Sequence, residues 1–126
     1  MLSGWASYYE NPGTFLEVIY NRQTGYALPV GEQPEGVECY AAAQTKKELD
    51  TVVWIKSNRT QWIKCWVVDV AGIADGAYQW MVSNNILYEV DPHTMLRLRG
   101  SLGGGVRIQV RKEVVRIKLL GDWRIK

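Results

Sequence analysis

The chain of 126 residues contains one Phe, one His and two Cys, and none of its apolar runs is long enough to cross a membrane as a helix. The lone His93 sits beside Pro92 and reads as a surface residue. With two cysteines that lack Cys-x-x-Cys spacing, it leaves no usual zinc ligand set. Gly103-Gly104-Gly105 is followed neither by Lys-Ser/Thr nor by a helical pattern, which excludes a phosphate loop, and no cofactor motif is present. Helix signals are scarce, and there is no internal repeat or low-complexity tract. Met1-Leu2-Ser3 leads straight into strand-like sequence without a signal-peptide pattern, so an extracellular or envelope location needs export information from elsewhere or another route.

Tryptophan and tyrosine are plentiful instead: six Trp and seven Tyr in a chain that is 47% hydrophobic, enough for one domain with a real core. These rings suit places where one end is wet. They serve a sugar-binding cleft or the core of a small barrel, and composition does not choose between them. Charge is uneven. Residues 1–96 carry 6 Lys/Arg against 11 Asp/Glu, whereas residues 97–126 carry 9 against 2. The C-terminal segment is thus a basic surface on a mildly acidic body. It fits an anionic wall polymer, nucleic acid or an acidic protein face, or is simply a solvated strand face.

Short apolar runs separated by turn residues dominate the chain. Gly4–Tyr9 reads as a first strand and Asn11-Pro12-Gly13 as a turn. Thr14–Arg22 fits either a short helix, with Glu17 three residues after a capping Thr14, or a strand. Residues 29–38 read as a surface loop, Cys39–Ala43 as a short apolar run and Gln44–Thr51 as polar. Val52–Lys56 and Trp62–Val70 flank Ser-Asn-Arg-Thr-Gln as a hairpin. Residues 71–85 form a long connection, and Ile86–Val90 is a strand. Asp91-Pro92-His93-Thr94 caps a short helix through Arg99, with Pro92 at its first position. Val106–Arg111 alternates, with Val106, Ile108 and Val110 inward, and Val115, Ile117 and Leu119 repeat the pattern. Cys39 and Cys65 each sit beside a predicted strand. A bridge between them would add roughly 3–4 kcal/mol by restricting the unfolded chain; the alternative is two buried thiols.

Two strands end in carboxylates. The run from Trp62 stops at Asp69, and the run from Ile86 stops at Asp91. Carboxylates at the ends of buried strands are costly unless paired or solvated in a cleft. Asp69 serves a groove or caps a barrel turn; Asp91 serves a groove, an N-cap, or both.

The order of these segments resembles the double-psi β-barrel of the rare lipoprotein A (RlpA-like) and expansin-like proteins. Gly4-Trp5-Ala6-Ser7-Tyr8-Tyr9 is similar to that family's opening strand, and Cys39-Tyr40-Ala41-Ala42-Ala43-Gln44 to its T-A-A-H segment. Asp50–Ile55 resembles the G-T-x-V-x-V strand. Val67-Val68-Asp69 and Tyr88-Glu89-Val90-Asp91 resemble the strands that supply its two acidic residues, and Leu102–Val110 its closing strand. The resemblance implies an all-β, six-stranded double-psi barrel over residues 1–111 with one or two short helices, and a basic β extension over residues 112–126.

By the same resemblance, Asp69 and Asp91 would face one groove with Tyr8 or Tyr9. Gln44 would stand at the family's His position on the glycan, and Asp69 would be the general acid of a lytic transglycosylase. Read from the residues themselves, Trp80 in the long loop suits a sugar platform, Asp75 a glycan contact or a turn, and Asn84 and Asn85 partners for sugar hydroxyls. Two departures favour binding over cleavage: the family's His becomes Gln44, and its D-R-G-P turn becomes Asp69-Val70-Ala71-Gly72. The expected function is therefore binding or remodelling of a cell-wall glycan such as peptidoglycan, in an expansin-like, non-hydrolytic way. The alternatives are a lytic transglycosylase and a structural subunit of a phage tail or surface filament, assembled through residues 112–126. No nucleic-acid motif is present, so nucleic acid is not an expected partner.

Overall fold

A computed structural model describes residues 2–9, 14–23, 33–72 and 76–113. Six strands, β1 (Leu2–Tyr8), β2 (Cys39–Ala43), β3 (Val52–Lys56), β4 (Ile63–Val70), β5 (Ile86–Val90) and β6 (Val106–Glu113), close into a barrel in the order β1-β5-β2-β4-β3-β6. Two pairs are parallel, β1 with β5 and β2 with β4, and the rest antiparallel. A closed six-stranded barrel with a few short helices is the all-β architecture expected. Closure pairs every strand on both sides, which removes edges. β6 is paired with β1 and β3, and its pairing with β3 runs through Lys112 and Glu113. Residues 114–126, the remainder of the basic extension, lie outside the described residues.

Period-two alternation fills the barrel. Ala6, Ala41, Ala43, Val53, Ile55, Ile63, Val67, Val90, Ile108 and Val110 point inward, and Met95 and Leu98 of a helix join them. Small residues line the tight places. A Cβ on Gly4 would stand 2.8 Å from the Leu87 side chain and 2.9 Å from the Asn85 carbonyl oxygen, so only glycine lets β1 approach β5 there. Cys39 and Cys65 are register partners inside the barrel and are joined by a disulfide, which ties β2 to β4 across 26 residues of sequence. Tyr88 also points inward, and its hydroxyl donates to Glu48, whose carboxylate also pairs with Lys112 at 3.2 Å. Burial, reinforced by the Glu48 carboxylate, drives the Tyr88 pKa far upward, so this hydroxyl stays protonated.

Among the described residues, three α-helices and a 3₁₀ turn at Lys46–Glu48 connect the strands. Helix α1 (Thr14–Gln23) settles the ambiguity over Thr14–Arg22 in favour of a helix. Phe15 on α1 packs with Trp66, Val68 and Ala42 on the outside of β4 and β2. Helix α2 (Ala77–Ser83) corrects the reading of residues 71–85 as a plain connection. With seven residues and only Met81 buried, it is too short for periodicity to announce it. Helix α3 (Pro92–Arg99) begins where the capping signal places it. Asp91 accepts from the Thr94 N–H, Pro92 opens the helix, and Gly100 ends it at φ 89 in the left-handed region. A side chain at Gly100 would also collide with the Arg59 guanidinium, 2.8 Å from the Cβ position.

Candidate functional site

A groove of about 690 Å³ runs over the outer faces of β1 and β5. β1 alternates small inward residues, Gly4 and Ala6, with outward Trp5 and Ser7. Alternation on β5 likewise sends Val90 inward and Glu89 outward, and Ser7 and Glu89 are register partners in the parallel pair. A register irregularity between Trp5 and Ala6 interrupts that pair, a feature that re-aims side chains. Trp80 on α2 lines the groove beside Trp5; the two are 47% and 39% exposed. Asn84 and Tyr8 add polar atoms, and Gly103, Gly104 and Gly105 form a wall without side chains. The Gly103 N–H donates to the Tyr8 hydroxyl at 3.1 Å, which fixes that wall against β1.

The two aspartates at the strand ends lie outside this groove. Asp69 is partly buried: one carboxylate oxygen accepts the Val70 N–H at 2.9 Å and the other the Tyr9 hydroxyl at 2.8 Å. The Tyr9 ring stacks on Phe15 with centroids 4.5 Å apart, so α1 covers this pair. A second register irregularity, between Ala41 and Ala42 in the β2–β4 pair, sets Asp69 opposite Ala42. Ala42 is also the register partner of Glu89. Asp69 and Glu89 therefore stand on either side of β2 with Cα atoms about two strand spacings, roughly 10 Å, apart. Asp91 is held by three protein donors: the Thr94 N–H at 3.1 Å, the Thr94 hydroxyl at 2.7 Å and the Tyr40 N–H at 3.1 Å.

The remaining expected site residues divide similarly. Tyr8 and Trp80 meet in the groove, while Tyr9 meets Asp69 instead. The Gln44 side-chain amide donates to the Ile86 carbonyl at 2.9 Å and bridges backbone. Asn85 has φ 52, a left-handed conformation that Asn tolerates, and its carbonyl accepts the Trp5 N–H. Its neighbour Asn84 lines the groove. Asp75 lies outside the described residues. Trp5, Ser7 and Glu89 were not among the expected site residues; the alternation of β1 and β5 was the signal that could have found them together. Among the described residues no group of three His, Cys, Asp or Glu is placed to hold a metal ion, and no helix is long and apolar enough to cross a membrane. No protein-family model matches the chain, and no curated protein matches its sequence.

Proposed function

We propose that the chain is a glycan-binding barrel of the expansin-like kind, which grips a wall-type polysaccharide in the groove over β1 and β5 without hydrolysing it. The observation that carries this reading is the pair of half-exposed tryptophans, Trp5 and Trp80, lining one groove with hydroxyl, amide and carboxylate groups. The C–H face of a pyranose packs on an indole ring, while its hydroxyl edge would exchange hydrogen bonds with Ser7 and Asn84 and donate to Glu89. An open groove suits a chain that continues in both directions.

Binding without cleavage is favoured because the groove holds a single carboxylate among the described residues, Glu89, whereas ordinary glycosidase chemistry uses a pair across the bond. Asp69, the general acid of the transglycosylase reading, is engaged by Tyr9 and Val70. The test is co-sedimentation with insoluble peptidoglycan and with cellulose, with mass spectrometry of the supernatant. Retention on a glycan, weakened about tenfold or more by Trp80→Ala with nothing released, is the expected result. Release of anhydro-muropeptides that Asp69→Asn abolishes would establish a lytic transglycosylase instead. Failure to bind any glycan would refute the reading and leave the subunit of a larger assembly.

A further inference from the structure

The groove does not end at Trp5. The Arg107 guanidinium lies 5.4 Å from the centre of the Trp5 ring, and on its other side Arg107 lines a second cleft of about 350 Å³. That cleft is polar and carries Lys56, Arg107, Ser3, Asn58, Gln61 and Gln109 on its rim. Gln109 is the register partner of both Ser3 and Lys56, so one row of polar side chains crosses β1, β6 and β3 on the barrel's outer face. Arg111 follows on β6, about 7 Å beyond Gln109 on the same face.

The cations here are positioned without being neutralised. Lys56 and Arg111 share one ring: the Lys56 ammonium is 5.3 Å and the Arg111 guanidinium 5.5 Å from the Trp62 centroid. Among the described residues none of Lys56, Arg107 and Arg111 has a carboxylate partner, whereas Arg97 pairs with Glu38 and Lys112 with Glu48. Holding two cations on one ring costs Coulomb repulsion that a bound anion relieves. The cleft itself contains hydroxyls, amides and cations but no aromatic ring on which a base could stack. An acidic sugar, with hydroxyls and a negative group on one ring, matches that set.

We infer that the cleft framed by Lys56, Arg107 and Gln109, with Arg111 beside it, is a second subsite that takes an acidic sugar unit, so that the bound polymer is an anionic glycan. This rests on the glycan reading of the neighbouring groove and names its substrate class.

The test uses cellulose and the same cellulose oxidised to carry glucuronate at C6, two matrices that differ only in charge. Wild type is expected to be retained on the order of tenfold better on the oxidised matrix at low salt, and the advantage fades at high salt. The Lys56→Gln, Arg107→Gln, Arg111→Gln triple variant loses the advantage and keeps its retention on neutral cellulose. Arg107→Lys with Arg111→Lys keeps most of the advantage. Lys46→Gln, Lys47→Gln, Arg97→Gln, of equal net charge but outside the cleft, also keeps it. Equal retention of wild type on both matrices overturns the inference and leaves the glycan reading standing. Equal loss in the two triple variants overturns it as well, since net charge alone would then explain the advantage. Retention on neither matrix overturns the inference, and the glycan reading then stands or falls on the peptidoglycan co-sedimentation alone. An oligothymidylate bound more tightly than the acidic glycan, through the same three cations, overturns the inference in favour of single-stranded nucleic acid.

Discussion

The barrel carries aromatic rings on two parts of its outer surface, and they have opposite fates. Under α1, Tyr9, Phe15, Tyr40 and Trp66 pack on one another over Ala42 and Val68; Trp66 is 2% exposed and its indole N–H has no hydrogen-bond partner among the described residues. Around β1, β6 and β3, Trp5, Trp54, Trp62 and Trp80 keep part of their surface in water, and the three on or beside those strands stand next to Lys or Arg. The difference is a lid. A helix with Phe15 on its inner face turns one set into a second core, and no element covers the other set among the described residues. Both sides also hold a carboxylate, but Asp69 on the covered side is bonded to Tyr9, whereas Glu89 on the open side lines a groove. An aromatic-rich composition therefore identifies no site until the covered rings are separated from the open ones.

The sharpest way to break this comparison is to truncate one tryptophan from each side. Trp66→Ala removes a buried ring whose N–H makes no bond to the described residues, so the cost is mainly packing, about 3–5 kcal/mol. Trp80→Ala, on an exposed helix face, is expected to change stability by less than about 0.5 kcal/mol while weakening glycan retention. Urea unfolding of both variants measures the two costs. Similar losses from both would mean that the open face is structural too, and the division would fail.

Much of the barrel was legible in the sequence because period two is a local signal. β5 and the start of β6 fall where the sequence pattern places them, and the Asp91–Pro92–Thr94 capping pattern marks the start of α3. α2 was not legible, since seven residues with one buried side chain leave no helical period to detect. The site was half legible. Tyr8 and Trp80 were singled out one at a time, but that they share a groove with Trp5 and Glu89 depends on the parallel pairing of β1 with β5, between segments about eighty residues apart. The carboxylates misdirect for a related reason. A strand-end Asp looks alike in sequence whether it faces solvent, caps a helix as Asp91 does, or accepts a tyrosine hydroxyl as Asp69 does.

A second pair of substitutions sharpens the comparison at smaller scale. Asp91→Ala removes an N-cap and leaves the Tyr40 N–H without its acceptor, a loss of about 1–2 kcal/mol in unfolding free energy. Glu89→Gln keeps the size of the side chain on the open face. It is expected to weaken glycan retention, because an amide replaces an acceptor-only group. A Glu89→Gln variant that unfolds as easily as Asp91→Ala would place Glu89 among the structural carboxylates.

The smallest expected effect decides the most about chemistry. Asp69 and Tyr9 meet at 2.8 Å at the margin of the covered side, where partial exposure screens the interaction. A double-mutant cycle with Tyr9→Phe and Asp69→Asn is expected to give a coupling of about 1 kcal/mol, the worth of one partly solvated hydrogen bond. If the pair is a structural clasp, both single variants lower the unfolding free energy and both retain glycan as well as wild type does. A working acid behaves in the opposite way: Asp69→Asn would leave stability unchanged or improved, would keep binding, and would abolish any release of soluble sugar. Stability and release thus move separately in the two cases, and measuring both on Asp69→Asn tells whether this carboxylate is a structural clasp or a working acid.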